Sequence, residues 1–144
     1  MARYRNVSGL FLLDGRWAAP GREGRTEMFT VSIQTGSRYL LAIASGLASA
    51  ADNCAGVVFV AESLRRTSTK RLLFDITALS PEMGPQGAME VISTLYLHMP
   101  PLEKIALLVP RGESLGMVKE AAAHRNIPFR EFVDAVEADE WLRA

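Results

Sequence analysis

Gly112-Glu113-Ser114-Leu115-Gly116 is a G-x-S-x-G pattern, flanked by residues that read as a strand before it and a helix after it, the setting in which a hydrolase presents a nucleophilic serine. Such a serine needs a histidine to take its proton and a carboxylate to orient that histidine, and the α/β-hydrolase order along the chain is serine, acid, histidine. That order is not met. His124 lies about ten residues beyond Ser114 on the same expected helix, roughly 15 Å up its axis at about 1.5 Å per residue, and no histidine follows Asp134 or Asp139. His98 precedes the serine, at a helix end before Pro100 and Pro101. Ser114 therefore reads better as a helix N-cap, its hydroxyl accepting from a free N–H of the first turn, and the chain is not expected to be an enzyme.

Other chemistries lack their residue sets. Two distant histidines, one cysteine and scattered carboxylates give no H-x-x-x-H, C-x-x-C or calcium-loop spacing, so no metal is expected. Neither G-x-G-x-x-G nor a P-loop lysine occurs, and no cofactor is expected. Cys54 reads as a small core residue rather than a nucleophile. Arg65, Arg66, Lys70 and Arg71 form a basic cluster able to hold a phosphate or an anionic headgroup. The simpler reading is a solvated turn at a helix C-terminus, where each cation contributes about 0.3–1 kcal/mol against the helix dipole.

The bulk properties narrow the classes further. A chain of 144 residues fits one domain, and sixteen basic residues balance sixteen acidic ones, against a nucleic-acid partner. A single cysteine excludes an internal disulfide and makes a reducing compartment the default. No apolar run reaches the roughly 18 residues of a membrane span, and Leu10 to Leu13 is shorter than a signal-peptide core, so a cytoplasmic protein without stable membrane insertion is expected.

Residues 1–27 differ from the rest in being rich in Gly and Arg. Residues 10–13 and 16–19 around Asp14-Gly15 form a candidate hairpin ahead of a linker; a loose extension that packs on a neighbour is the alternative, and Met28 is a second candidate start. From Met28 the pattern is regular. Met28 to Ile33 and Tyr39 to Ala44 predict an antiparallel pair. Leu47, Ala51, Cys54, Val58, Ala61 and Leu64 mark one face of a helix from Leu47 to Arg66, although Gly56 and the run Val57 to Val60 also suit a buried strand. Lys70 to Ile76 predicts a buried strand, and Pro85 starts a helix with Ala88, Val91, Ile92 and Leu95 on one face, ending before Pro100. Lys104 to Val109 predicts another strand, Ser114 to Arg125 another helix, and Ile127 to Phe132 an edge strand demoted by Pro128. Asp134 then caps a last helix, with Glu137 bonding back and Ala138, Trp141 and Leu142 facing inward. The alternation predicts an α/β fold: a mainly parallel, mixed sheet covered by helices, with right-handed crossovers and an antiparallel hairpin at its N-terminal edge.

From Met28 to Ala144 the chain resembles the SpoIIAA-like family, relatives of the STAS domains that include anti-sigma factor antagonists. The likeness is carried by MFTVSIQ, by RLLFDI with the loop and helix after it, by IALLVPRGESLGMVKEAA, and by FVDAVEADEWL, where Phe132, Asp134, Ala138, Trp141 and Leu142 keep the family's spacing. The resemblance implies a bacterial, non-enzymatic binding or regulatory domain with a protein partner. In regulatory STAS domains a serine in an Asp-Ser-Ser-Gly turn is phosphorylated. The matching turn here, Met83-Gly84-Pro85-Gln86-Gly87, has no hydroxyl, and Pro85 removes an N–H from the helix start. The phosphoserine switch is therefore not expected; Thr77 and Ser80 are the nearest hydroxyls. The family's likeness to the CRAL-TRIO lipid-transfer fold implies, as an alternative, a small apolar or lipid ligand.

Open α/β sheets bind ligands beyond the C-terminal ends of their strands. That rule selects Asp75, Thr77, Ser80, Gly84 and Gly87 after one strand, and Arg111 and Ser114 after the other. Asp75 has an equal alternative as a strand-end carboxylate that satisfies neighbouring N–H groups. Self-association, as a homodimer, is expected through a sheet edge or through residues 1–27, where Phe11 and Trp17 lie.

Overall fold

The computed structural model describes residues 11–13, 16–18, 28–112 and 128–144. β1 (Phe11–Leu13) and β2 (Arg16–Ala18) pair antiparallel as the Asp14-Gly15 spacing predicts. β3 (Thr30–Thr35), β4 (Leu40–Ser49), β5 (Arg71–Glu82), β6 (Lys104–Leu108) and β7 (Phe129–Phe132) form a five-stranded sheet in the order β3-β4-β5-β6-β7. β3 and β4 are antiparallel, and every later pairing is parallel. The helices are α1 (Ala50–Arg65), α2 (Pro85–His98) and α3 (Ala135–Arg143). The segment expected as a helix from Ser114 to Arg125 lies outside the described residues.

Side-chain alternation divides the core into two layers. On one face Leu40, Ala42 and Leu72 pack with Val60 and Leu64 of α1. On the other Leu73, Ala106, Leu108 and Phe132 pack with Ala138 and Leu142 of α3. The run Val57 to Val60 is helical, and the sequence itself supplies the reason. Ser49 and Asp52 form a reciprocal cap, Ser49 Oγ accepting from the Asp52 N–H at 3.1 Å and Asp52 Oδ2 from the Ser49 N–H at 3.0 Å. The helix thus starts three residues later than predicted, and Leu47 belongs to β4. Its buried face shifts to Gly56, Val57, Val60, Ala61 and Leu64, leaving Ala51 exposed and Cys54 half-buried. Cys54 Sγ accepts from the Thr94 hydroxyl at 3.3 Å, where α1 lies beside α2.

Pro85 opens α2 at its first position, and the helix stops at His98, as expected. β7 is an edge strand with Pro128 just before it rather than within it. Asp134 caps α3 by accepting from the Val136 N–H at 2.8 Å.

Two cations fasten the far end of α3. Arg71 Nη1 donates to the carbonyls of Leu142 and Ala144, and Lys104 Nζ donates to those of Trp141 and Ala144 at 2.9 and 3.0 Å. Nearby, the Tyr39 hydroxyl donates to Asp139 Oδ1 at 2.5 Å, and Arg143 Nε donates to both Asp139 oxygens at 2.9 Å. The Tyr39 bond first, then Arg143, hold the Asp139 carboxyl below the usual carboxylate range, while burial first and the adjacent carboxylate second push the Tyr39 hydroxyl up. A carboxyl lowered on folding gives stability that is complete above its unfolded range and is lost as pH falls through its folded value. Asp139→Asn is therefore expected to flatten the acid limb of the stability-pH profile, and Tyr39→Phe to flatten it in part, by urea unfolding between neutral and acid pH.

Candidate functional site

The residues selected after β5 do not all sit in a loop, because β5 runs on to Glu82, six residues past the predicted strand end at Ile76. β6 pairs with β5 only as far as Asp75, opposite Leu108. Beyond it, among the described residues, β5 stays paired to β4 alone, from Ala78 opposite Ser45 to Glu82 opposite Ser49. A two-stranded ribbon thus continues past the end of β6 at the C-terminal rim of the sheet, its β4 strand buried at Gly46 and Ala48. The sequence did not show this, because Thr77, Ser80 and Pro81 read as loop residues when the neighbouring strand is not in view.

A bulge marks where the ribbon begins. The register advances two residues along β4, from Ile43 to Ser45, and three along β5, from Asp75 to Ala78. Asp75 holds the bulge: Oδ1 accepts from the Thr77 N–H at 3.0 Å and from the Thr77 hydroxyl at 2.7 Å. Asp75 thus acts as a local acceptor, at a bulge within β5 rather than at the strand end considered from sequence.

The ribbon's outer edge is shielded against a further strand. The Thr77 N–H is taken by Asp75, Pro81 has no N–H to offer, and Glu82 adds a charge. What the ribbon presents is side chains, with Thr77 and Ser80 both exposed.

The ribbon turns into α2 at Gly84, the N-cap residue, and an added Cβ there would meet nothing within 4 Å. Gly87 is more constrained: its Cβ would lie 2.8 Å from that of Met83 and 3.0 Å from that of Ala50, so glycine lets the starts of α1 and α2 approach. After β6, the Val109 N–H bonds the Phe132 carbonyl at 2.9 Å, and the chain reaches exposed Arg111 and then Gly112 at φ +82°. The structure thus brings Asp75, Thr77, Ser80, Gly84, Gly87 and Arg111 to one end of the sheet. Ser114 lies outside the described residues.

His98 ends α2 away from this rim. The fourteen-residue helix from Pro85 to His98 sets the two roughly 20 Å apart, at about 1.5 Å per residue. Among the described residues no three of His, Cys, Asp and Glu gather as metal ligands, and no helix is long and apolar enough to cross a membrane. In the basic cluster, Arg65 donates to Glu62 Oε1 at 2.8 Å and to the His98 carbonyl, and Arg71 pairs with Glu103 at 3.2 Å besides holding α3. These two cations serve helix ends and exposed carboxylates. Lys104, which sequence reasoning passed over, shares the work of Arg71; only the cross-strand register that sets Arg71 opposite Lys104 reveals it.

Solved structures share this fold, two of them at a TM-score above 0.5 as follows. An uncharacterized protein with a SpoIIAA-like fold from Shewanella loihica PV-4 superposes with a TM-score of 0.58 at 19% identity, covering 85% of this chain and 99% of that one. An anti-sigma factor antagonist from Mycobacterium paratuberculosis superposes with a TM-score of 0.56 at 12% identity, covering 82% of this chain and 97% of that one. No protein-family model and no curated protein matches the sequence.

Proposed function

The chain has the SpoIIAA-like fold, and from that premise we propose that it is a non-enzymatic binding domain that engages a protein partner at the C-terminal rim of its sheet. The ribbon carries this reading. It leaves Thr77 and Ser80 exposed, fixes Thr77 through Asp75, and blunts its outer edge at Thr77 and Pro81, so contact is made by side chains. Arg111 supplies the cationic side of the surface, and the turn from Gly84 to Gly87 lets a partner approach the start of α2. Likeness to an anti-sigma factor antagonist, a protein named for acting on another protein, supports a protein partner. With no hydroxyl between Met83 and Gly87, binding here is set by affinity and not by a phosphoserine in that turn.

The test is affinity capture from an extract of the source cells, comparing the unmodified chain with Thr77→Arg/Ser80→Arg and with Glu137→Lys on the outer face of α3. One stoichiometric protein is expected with the unmodified chain and with the α3 variant, and at least about tenfold less with the rim variant, since a misfit at the centre of an interface costs about 2 kcal/mol or more. Equal capture by all three would remove the rim from the reading.

A further inference from the structure

Among the described residues β3 is the outermost strand on its side of the sheet. Exposed strand edges are normally blunted by a charge, a proline or a bulge, and β3 has none of these: its sequence is TVSIQT, and its six pairs with β4 run unbroken from Thr30 opposite Ser45 to Thr35 opposite Leu40. The pairing fixes which main-chain groups point outward. The Gly36 N–H bonds the Tyr39 carbonyl at 3.2 Å, and hydrogen-bonded and non-hydrogen-bonded pairs alternate along an antiparallel ladder. Gln34, Ser32 and Thr30 therefore turn their N–H and C=O toward β4, and Val31, Ile33 and Thr35 turn theirs outward.

The other edges differ. β7 has four residues and follows Pro128, and the β5 ribbon is shielded by Asp75, Pro81 and Glu82.

We propose that two copies of this chain pair along β3, antiparallel, about a two-fold axis through Ile33. In that register Ile33 faces Ile33 of the second copy, and each Val31 faces a Thr35, so every outward N–H and C=O of the three residues finds a partner in six main-chain bonds. No charge opposes a like charge, and β-branched side chains meet on the α1 side of the sheet. A second observation falls at the same place. On α1, a Cβ at Gly56 would lie 3.0 Å from Phe29 and 3.2 Å from Val31, so this flank of the helix faces β3. Phe59, three residues further and so on the same flank of the helix, is 48% exposed, and the two-fold brings a pair of these rings to the same side of the joint. The contact is isologous and closes on itself, so assembly stops at two copies. Both rims stay open.

Sedimentation equilibrium at tens of micromolar is expected to give twice the 15.8 kDa of one chain. Thr35→Pro removes an outward N–H and leaves the ladder to β4 intact. It is expected to weaken association about tenfold or more, because each dimer loses two main-chain bonds. Amide exchange in the unmodified protein provides an independent reading that does not depend on how the variant folds. The amides of Val31, Ile33 and Thr35 should slow as concentration rises, while those of Thr30, Ser32 and Gln34 stay slow throughout. A single-chain mass, a dimer indifferent to Thr35→Pro, or exchange at Val31, Ile33 and Thr35 that ignores concentration would each overturn the proposal.

Discussion

Gly46→Ala is expected to destabilise the domain more than any other single-atom-scale change, by about 3 kcal/mol or more. Gly46 sits in β4 at φ +91°, where side chains are rarely tolerated, and an added Cβ would fall 1.8 Å from the Met28 carbonyl oxygen and 2.7 Å from its carbon. Both obstacles are backbone, so relief requires the strand or the segment entering β3 to move. Such a loss lowers the melting temperature by roughly 10 °C in a domain of this size. The matched control is Gly84→Ala, where φ is −81° and the added methyl meets nothing; thermal melts of the two variants should differ by nearly the whole effect. A melt of Gly46→Ala within 2–3 °C of the unmodified protein, a shift of about 1 kcal/mol, would show that the crossing of Met28 over β4 is wrongly placed.

Leu142→Ala carries the second large effect, an expected loss of about 2–5 kcal/mol. Leu142 is fully buried between α3 and the sheet, in contact with the cluster of Leu73, Ala106, Leu108 and Phe132. Truncation leaves a cavity that the neighbours fill poorly, since Arg71 and Lys104 hold the carbonyls at that end of the helix in place. Val136→Ala on the opposite face of α3, where the side chain is 64% exposed, is expected to stay within about 0.5 kcal/mol. Urea midpoints would separate the two, and similar values would mean that α3 does not cover the sheet through the face assigned to it.

The elements that sequence reading recovered are those whose signal is local. Pro85 at a helix start, Asp134 before an amphipathic turn and the apolar runs of β5 and β6 each carry their own physical cause, and each sits where predicted within a few residues. The same holds for the antiparallel start and the parallel remainder of the sheet, which follow from short turns against helical crossovers. What escaped depends on pairing. β5 looked finished at Ile76 because polar Thr77 and Ser80 break its apolar run, yet β4 keeps bonding it to Glu82. The Tyr39 bond to Asp139 joins residues a hundred positions apart, and no spacing rule marks it; only the Asp139 and Arg143 half, four apart on one helix, was within reach. Likewise Asp75 was legible as a choice between a ligand and a local acceptor, and its bonds to Thr77 at the bulge fit the acceptor.

The rim reading is tested most directly by a hydrogen-exchange footprint of this chain in its complex with the captured protein. Slowed exchange is expected in residues 76–87 and 109–112, with the outer face of α3 from Val136 to Glu140 unchanged. A footprint centred on α3 or on β7, with the ribbon exchanging as it does alone, would contradict the account.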